Sequence, residues 1–254
     1  MYLSAERLAL ANQAVKETFE QCSIVWQAIP HWDTGDPGQI TVPDGKYNPP
    51  GFLHVQQKHI PFNVTLAQAN APTPDLLLTE VMARANDLAK HVDDDIIPHL
   101  YTSAAINSST GTGPAALQGS LIDARADVET AGYRAPSCII TNTEGLKKLS
   151  QLVSGYSILQ QLLAAANVNS LYRTVPLNPP DSVLKLVVLG RRRRIAQGAA
   201  PQASPGEEPV DLAVSLLPSL EVDGPTATGE IHLNARIRYA IRITDAHGLV
   251  ARHA

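Results

Sequence analysis

His91, Asp94, Asp95 and His99 are spaced so that a helix would gather them on one side, as a metal ion requires of imidazole and carboxylate ligands. Pro98 precedes His99, and a proline breaks a helical face, so these residues read as a solvated acidic helix end. Gly155-Tyr156-Ser157 begins like a nucleophile elbow, but the glycine required two places after the serine is missing. Arg191, Arg192, Arg193 and Arg194 form a run that could neutralise phosphates or pair with an acidic neighbour; four residues make a small footprint. No glycine-rich phosphate loop occurs. Cys22 and Cys138 do not make a disulfide framework. The expectation is therefore no catalytic residue, no metal and no cofactor, with a small cytosolic enzyme of unknown type as the weakest reading.

The 254 residues suffice for one large domain or two small ones. A net charge of −4 offers no broad attraction for nucleic acid or a membrane surface. Charged residues make up 17% of the chain against about 25% in ordinary soluble domains, which points to surface covered by partners. There is no cleavable signal and no apolar run long enough to span a bilayer. A cytoplasmic origin follows as the expectation. Asn63-Val64-Thr65 and Asn107-Ser108-Ser109 match the glycosylation pattern but carry no meaning without secretion.

The elements that would position these residues can be read in order. Residues 4–26 form an amphipathic helix with Leu8, Ala11, Val15, Phe19, Cys22 and Trp26 on one stripe. Residues 30–61 turn to Pro, Gly, Asp and Asn and read as a two-stranded arm that projects onto another subunit. A strand at 60–66 leads into the longest helix, which starts at Thr73-Pro74 and is ended by Pro98, roughly 35 Å long. Residues 103–114 read as a linker. Leu117, Leu121, Ala124, Val128 and Ala131 mark a helix stopped by Gly132 and Pro136, followed by a short buried strand at 137–141. Thr141 and Glu144 have capping-box spacing for a further helix buried through Leu146, Leu149, Leu152 and Val153. A helix at 158–166 and strands at 172–177, 183–189 and 210–217 follow. Residues 231–244 then alternate apolar and polar without a break, with Arg236, Arg238 and Arg242 on the polar face.

In this order the pieces resemble encapsulins and, more distantly, the major capsid proteins of tailed phages, which share the Hong Kong 97-type capsid fold. Ile60-Pro61-Phe62-Asn63-Val64-Thr65-Leu66 resembles the strand entering the peripheral domain, and the helix ending Val92-Asp93-Asp94-Asp95-Ile96-Ile97 resembles the spine helix. Ala131-Gly132-Tyr133 through Ile139-Ile140-Thr141-Asn142-Thr143 is similar to the central segment. Gly155-Tyr156-Ser157-Ile158-Leu159 resembles the loop and helix bordering a symmetry-axis pore, and Arg236 through Asp245 resembles the terminal strand. Residues 197–209 form an insertion longer than an encapsulin turn. The absence of a long N-terminal scaffolding segment leans toward encapsulin.

The resemblance implies an α+β subunit with an N-terminal helix (1–29), an extended arm (30–61), a peripheral domain with a long spine helix (62–114 and 218–254) and an axial domain (115–217). It implies self-assembly into an icosahedral homo-oligomer enclosing cargo protein, in a cytoplasmic nanocompartment, or a virion enclosing DNA in the phage alternative. Gly155, Tyr156 and Ser157 would form the pore loop. Leu8, Val15 and Phe19 would lie on the interior, cargo-facing helix. Arg191 to Arg194, Arg236 and Arg238 would contact nucleic acid or a neighbouring subunit; pairing with a neighbour's carboxylates is the favoured role.

Overall fold

The computed structural model describes residues 3–46, 49–178, 183–193 and 207–254, without the side chains of residues 135, 136, 192 and 193. Helix α1 (Ala5–Cys22) and the short α2 (Ile24–Ala28) lead to β1 (His31–Asp33), the paired β2 (Thr41–Pro43) and β3 (Phe52–His54), then β4 (Gln56–Thr65), α3 (Leu66–Asn70) and the long α4 (Asp75–Ser103). Next come β5 (Ile106–Ser109), α5 (Pro114–Thr130), β6 (Tyr133–Thr141), α6 (Thr143–Leu149), β7 (Leu152–Val153), β8 (Tyr156–Ser157), α7 (Leu159–Ala165) and β9 (Val168–Arg173). β10 (Lys185–Arg193), β11 (Val210–Pro225), β12 (Glu230–Ile243) and β13 (Leu249–His253) follow.

Two sheets organise the described chain. The first has the order β1-β11-β12-β4. The alternation in β12 buries Ile231, Leu233, Ala235, Ile237 and Tyr239 in a core shared with Ala11, Val15 and Phe19 of α1 and with the stripe Leu77, Val81, Ala85, Leu88, Val92 and Ile96 of α4. The second sheet has the order β5-β13-β10-β6-β9 and is buried on both faces. Cys138, Ile140, Val187, Leu189 and Leu249 join the first core, while Ile139, Leu186, Val188 and Val250 join a second core under α5 and α7. Burial on both sides explains why β6 and β10 read as unbroken apolar runs.

The sheets divide the chain differently from the expected borders. β5 and β13, expected to go with residues 62–114 and 218–254, pair in the second sheet beside β10, β6 and β9, and β11, which begins at Val210 within the expected 115–217 unit, pairs in the first. β11 runs to Pro225 because bulges between Val214 and Leu216 and between Leu216 and Ser219 bend it without ending its pairing with β12. Residues 103–114 are not all linker: β5 pairs there in parallel with β13. β9 begins at Val168, earlier than expected, where parallel pairing with β6 starts.

The long helix continues through Pro98 to Ser103. Its 29 residues measure about 44 Å. Ile96, Ile97 and Leu100 are all buried around the proline, and three such side chains contribute more than the roughly 3 kcal/mol that an interior proline costs. The N-terminal helix, in contrast, breaks at Ser23. Asn142, not Thr141, caps α6, its Oδ1 accepting from Gly145 N at 2.7 Å; Thr141 is turned inward and donates to Lys185 O. Leu152 and Val153 leave the helix for the β7–β8 pair and are exposed. Gly132 has φ of 93° just after α5, as a helix stop requires.

The largest correction concerns the arm. It does not project: it lies across the outer face of its own first sheet. Val42 is fully buried against Ala213 and Ala240, with Trp32, Leu53 and Val55 around it. Arg242 of β12 makes a bidentate pair with Asp211 of β11, 2.6 Å on each arm, and both side chains are about 95% buried. Trp32 donates its Nε1 to Asp211 at 3.0 Å and stacks against the Arg242 guanidinium, whose Nη1 reaches Pro43 O at 3.3 Å. The polar face of β12 is what the arm covers.

Asp211→Ala leaves Arg242 buried and unpaired. Its expected cost in urea unfolding is about 3–5 kcal/mol, with most of that loss recovered by the double change Asp211→Leu with Arg242→Met.

Candidate assembly surfaces

Three of the six arginines expected to contact a partner, Arg191, Arg236 and Arg238, have partners within the chain. Arg236 pairs with Glu221 on the neighbouring strand. Arg238 donates to the carbonyls of Pro37 and Gln39 and so pins the arm. Arg191 Nη1 donates to Ala28 O at 2.9 Å, closing the end of α2. The side chains of Arg192 and Arg193, and Arg194 altogether, lie outside the described residues, as does most of the 197–209 insertion.

Val15 and Phe19 are fully buried and Leu8 is half-buried, so these side chains hold α1 to the core and do not face an interior space. Phe19 meets Trp26 edge to face at 5.5 Å. Cys22, expected on the same stripe, is exposed. The outer side of α1 carries Asn12, Gln13 and Lys16, and they form one wall of an open groove of about 510 Å³ completed by Asp33, Ser215 and Leu217. Ser215 is buried and its hydroxyl has no partner.

Gly155, Tyr156 and Ser157 sit on a two-residue hairpin, β7–β8, at the edge of the second core. Its turn residues Ser154 and Gly155 both have positive φ, the geometry of a type I′ turn. Leu152, Val153 and Tyr156 project from it into solvent. Cys138 is buried, and burial pushes its thiol up to about 11, which disfavours the thiolate.

The acidic helix end is less simple than the sequence suggested. Asp94, His91 and His99 are exposed, but Asp95 accepts from Lys58 Nζ at 2.6 Å and from the Tyr239 hydroxyl at 3.2 Å. Burial, then the Asp95 charge, raises the Tyr239 hydroxyl, which therefore stays a donor. Asp93, which sequence reasoning did not single out, is buried. It accepts from Ser23 Oγ at 2.8 Å, Ile24 N at 2.9 Å and Val25 N at 3.0 Å, and so holds the start of α2 against α4. Only its place among neighbouring acids hid it; a Ser at 23 followed by apolar residues was the available signal for a second helix start. No group of three His, Cys, Asp or Glu among the described residues is gathered for a metal ion, and no helix among them is long and apolar enough to cross a membrane.

No protein-family model matches the chain, and neither does any curated protein. Solved structures do. The virus-like particle from Pyrococcus furiosus superposes with a TM-score of 0.68 at 15% identity, covering 98% of this chain and 100% of that one. The chain has the Hong Kong 97-type capsid fold. A phage-related protein from Bordetella bronchiseptica matches this capsid fold with a TM-score of 0.69 at 9% identity over 96% of each chain. The SrpI encapsulin from Synechococcus elongatus matches with 0.60 at 11% identity, covering 92% of this chain and 88% of that one. Within this fold the latch at Asp93 joins α2 to α4.

Burial raises the Asp93 carboxyl from 3.8 to about 6, against the opposing pull of its three donors. A raised acid favours the folded state most where it is protonated, so this contribution is present below about pH 4 and is lost as pH rises through about 6. The unfolding free energy of the parent relative to Asp93→Asn should therefore fall by about 2.4 kcal/mol between pH 4 and pH 7, measured by urea melts of both proteins at each pH.

Proposed function

We propose that this chain is a structural, non-enzymatic shell subunit that self-assembles into a closed icosahedral particle, an encapsulin-like compartment enclosing cargo in the cytoplasm. The observation that carries the proposal is the end-to-end match to the subunit of a virus-like particle, 98% of one chain and 100% of the other. The fold leaves surfaces that suit assembly: an exposed apolar hairpin at β7–β8, and Ile40 and Phe52 exposed on the arm. On this reading the hairpin is the pore loop. The cargo-facing part of α1 is its outer side beside the groove, with Asn12, Gln13 and Lys16, because Val15 and Phe19 are committed to the core.

A second reading, a phage-type capsid enclosing DNA, is favoured by the match to a phage-related protein over 96% of each chain. Against it, Arg191, Arg236 and Arg238 are engaged within the subunit, and the net charge of −4 gives no broad attraction for a polyanion.

Size-exclusion chromatography and negative-stain imaging of the purified chain should show closed megadalton particles whose ultraviolet spectrum is that of protein alone. A stable monomer or dimer at micromolar concentration would rule the shell out. Particles rich in nucleic acid that resist nuclease would move the assignment to the genome-holding reading.

A further inference from the structure

Strand β4 parts from β12 before β12 ends. The last pair between them is Gln56 with Tyr239, and there the chain turns to the arm, where Val55 N donates to Ile40 O at 2.9 Å. Residues 240–243 of β12 run on with β11 on one side and, among the described residues, no strand on the other. Side-chain burial changes at the same point. Ile231, Leu233, Ala235, Ile237 and Tyr239 are buried, while Ile241 and Ile243, next on the same face, are only partly so.

The ladder fixes which backbone groups are left over. Thr244 N donates to Pro209 O at 3.0 Å, and hydrogen-bonded pairs alternate with non-bonded pairs along an antiparallel ladder. Arg242 therefore shares backbone bonds with Asp211, whereas Ile241 and Ile243 turn their N–H and C=O groups away from β11. Leu212, opposite Ile241, has the matching orientation: its N–H points outward to Pro30 O at 2.9 Å.

This open edge faces a groove of about 570 Å³, walled by Ile96 and His99 of α4 and by Leu53 and Gln56 at the base of the arm, with Ala240 and Ile241 as its floor. Unpaired strand edges take up further strands. The two walls admit one extended chain. They exclude the edge of a second folded sheet, which would bring its own α4 and arm with it, and every described strand of a second copy is already paired. We propose that the slot receives an extended peptide segment of a different protein, which pairs with Ile241 and Ile243 and continues the sheet from where β4 leaves it. Four residues of such a strand span roughly 13 Å. Side chains of the segment alternate between Ile96 with Ile241 and Leu53 with Ala240, which suits apolar and β-branched residues; proline at a pairing position removes a needed donor. Neither the slot nor its filling depends on the shell reading above.

The probe is a fluorescein-tagged peptide of alternating valine and threonine with a lysine at each end, titrated into the full-length protein and followed by anisotropy. Hydrogen exchange is read in parallel over residues 239–244. The amides of Ile241 and Ile243 should exchange freely without peptide and at least roughly tenfold more slowly at saturation, and the same peptide N-methylated throughout should not protect them. Ile241→Pro, which removes a donor facing the slot and leaves the β11 ladder intact, should weaken binding roughly tenfold. His99→Trp, which fills the slot from an exposed wall, should abolish binding and decides the matter if the proline variant does not fold. No binding at millimolar peptide overturns the inference, as does equal binding of the N-methylated peptide or undiminished binding by the variants. Protection of both amides before peptide is added also overturns it: in dissociated subunits the chain covers its own edge, and in assembled particles alone a second copy does.

Discussion

The ion pair between Arg242 and Asp211 sets how the first sheet is finished. Removing two charges from water costs several kcal/mol per ion, and the fold recovers that only because every strong direction around the pair is used. Both arms of the bidentate contact are short, the Trp32 indole donates to the same carboxylate, and the Pro43 carbonyl takes a remaining guanidinium proton. Two of those partners come from the arm region, from β1 and from β2. The pair is therefore satisfied only when the arm is laid down over the sheet. A segment with little apolar content of its own gains a fixed position by completing someone else's hydrogen bonds.

The same logic of completion recurs at the other side of the sheet. Asp93 belongs to α4 but satisfies the free donors at the start of α2, and Arg191 of the second sheet satisfies the carbonyl of Ala28 at its end. A five-residue helix is too short to be stable by itself. It exists because a carboxylate stands at one end and a guanidinium at the other. Together the two contacts tie the N-terminal helices, α4 and the second sheet to one another.

Much of the architecture was legible because it rests on periodicity. The stripe of α4, the alternation of β12 and the stop at Gly132 are local patterns, and each stands where the sequence places it. The errors share a cause. Pro98 reads as a terminator because propensity is local, while the packing of Ile96, Ile97 and Leu100 that overrides it is not. The arm reads as unsupported because its anchors, Asp211 and Arg242, lie far along the chain, and the basic face of β12 reads as available for the same reason. The hairpin at 152–157 is a two-residue turn whose Ser154 carries positive φ, and apolar leucine and valine beside a helix looked like its continuation. The capsid fold was legible from the order of elements, but the surfaces that would make a shell depend on which side chains are left over after folding, which no window of sequence reports.

The position of β13 carries a consequence for synthesis. Among the described residues β5, near residue 106, pairs only with β13, near residue 250, and β13 also supplies the partner on one side of β10. The place between β5 and β10 is thus empty until residues 249–253 have left the ribosome. Contacts of such long sequence separation are slow to close, and until they do, β5 and β10 present open edges. A chain lacking residues 249–253 would retain α4 yet keep that sheet unfinished, with open strand edges of the kind that invite pairing and aggregation. The fold thereby makes the closing of its second sheet a late event that waits on residues 249–253.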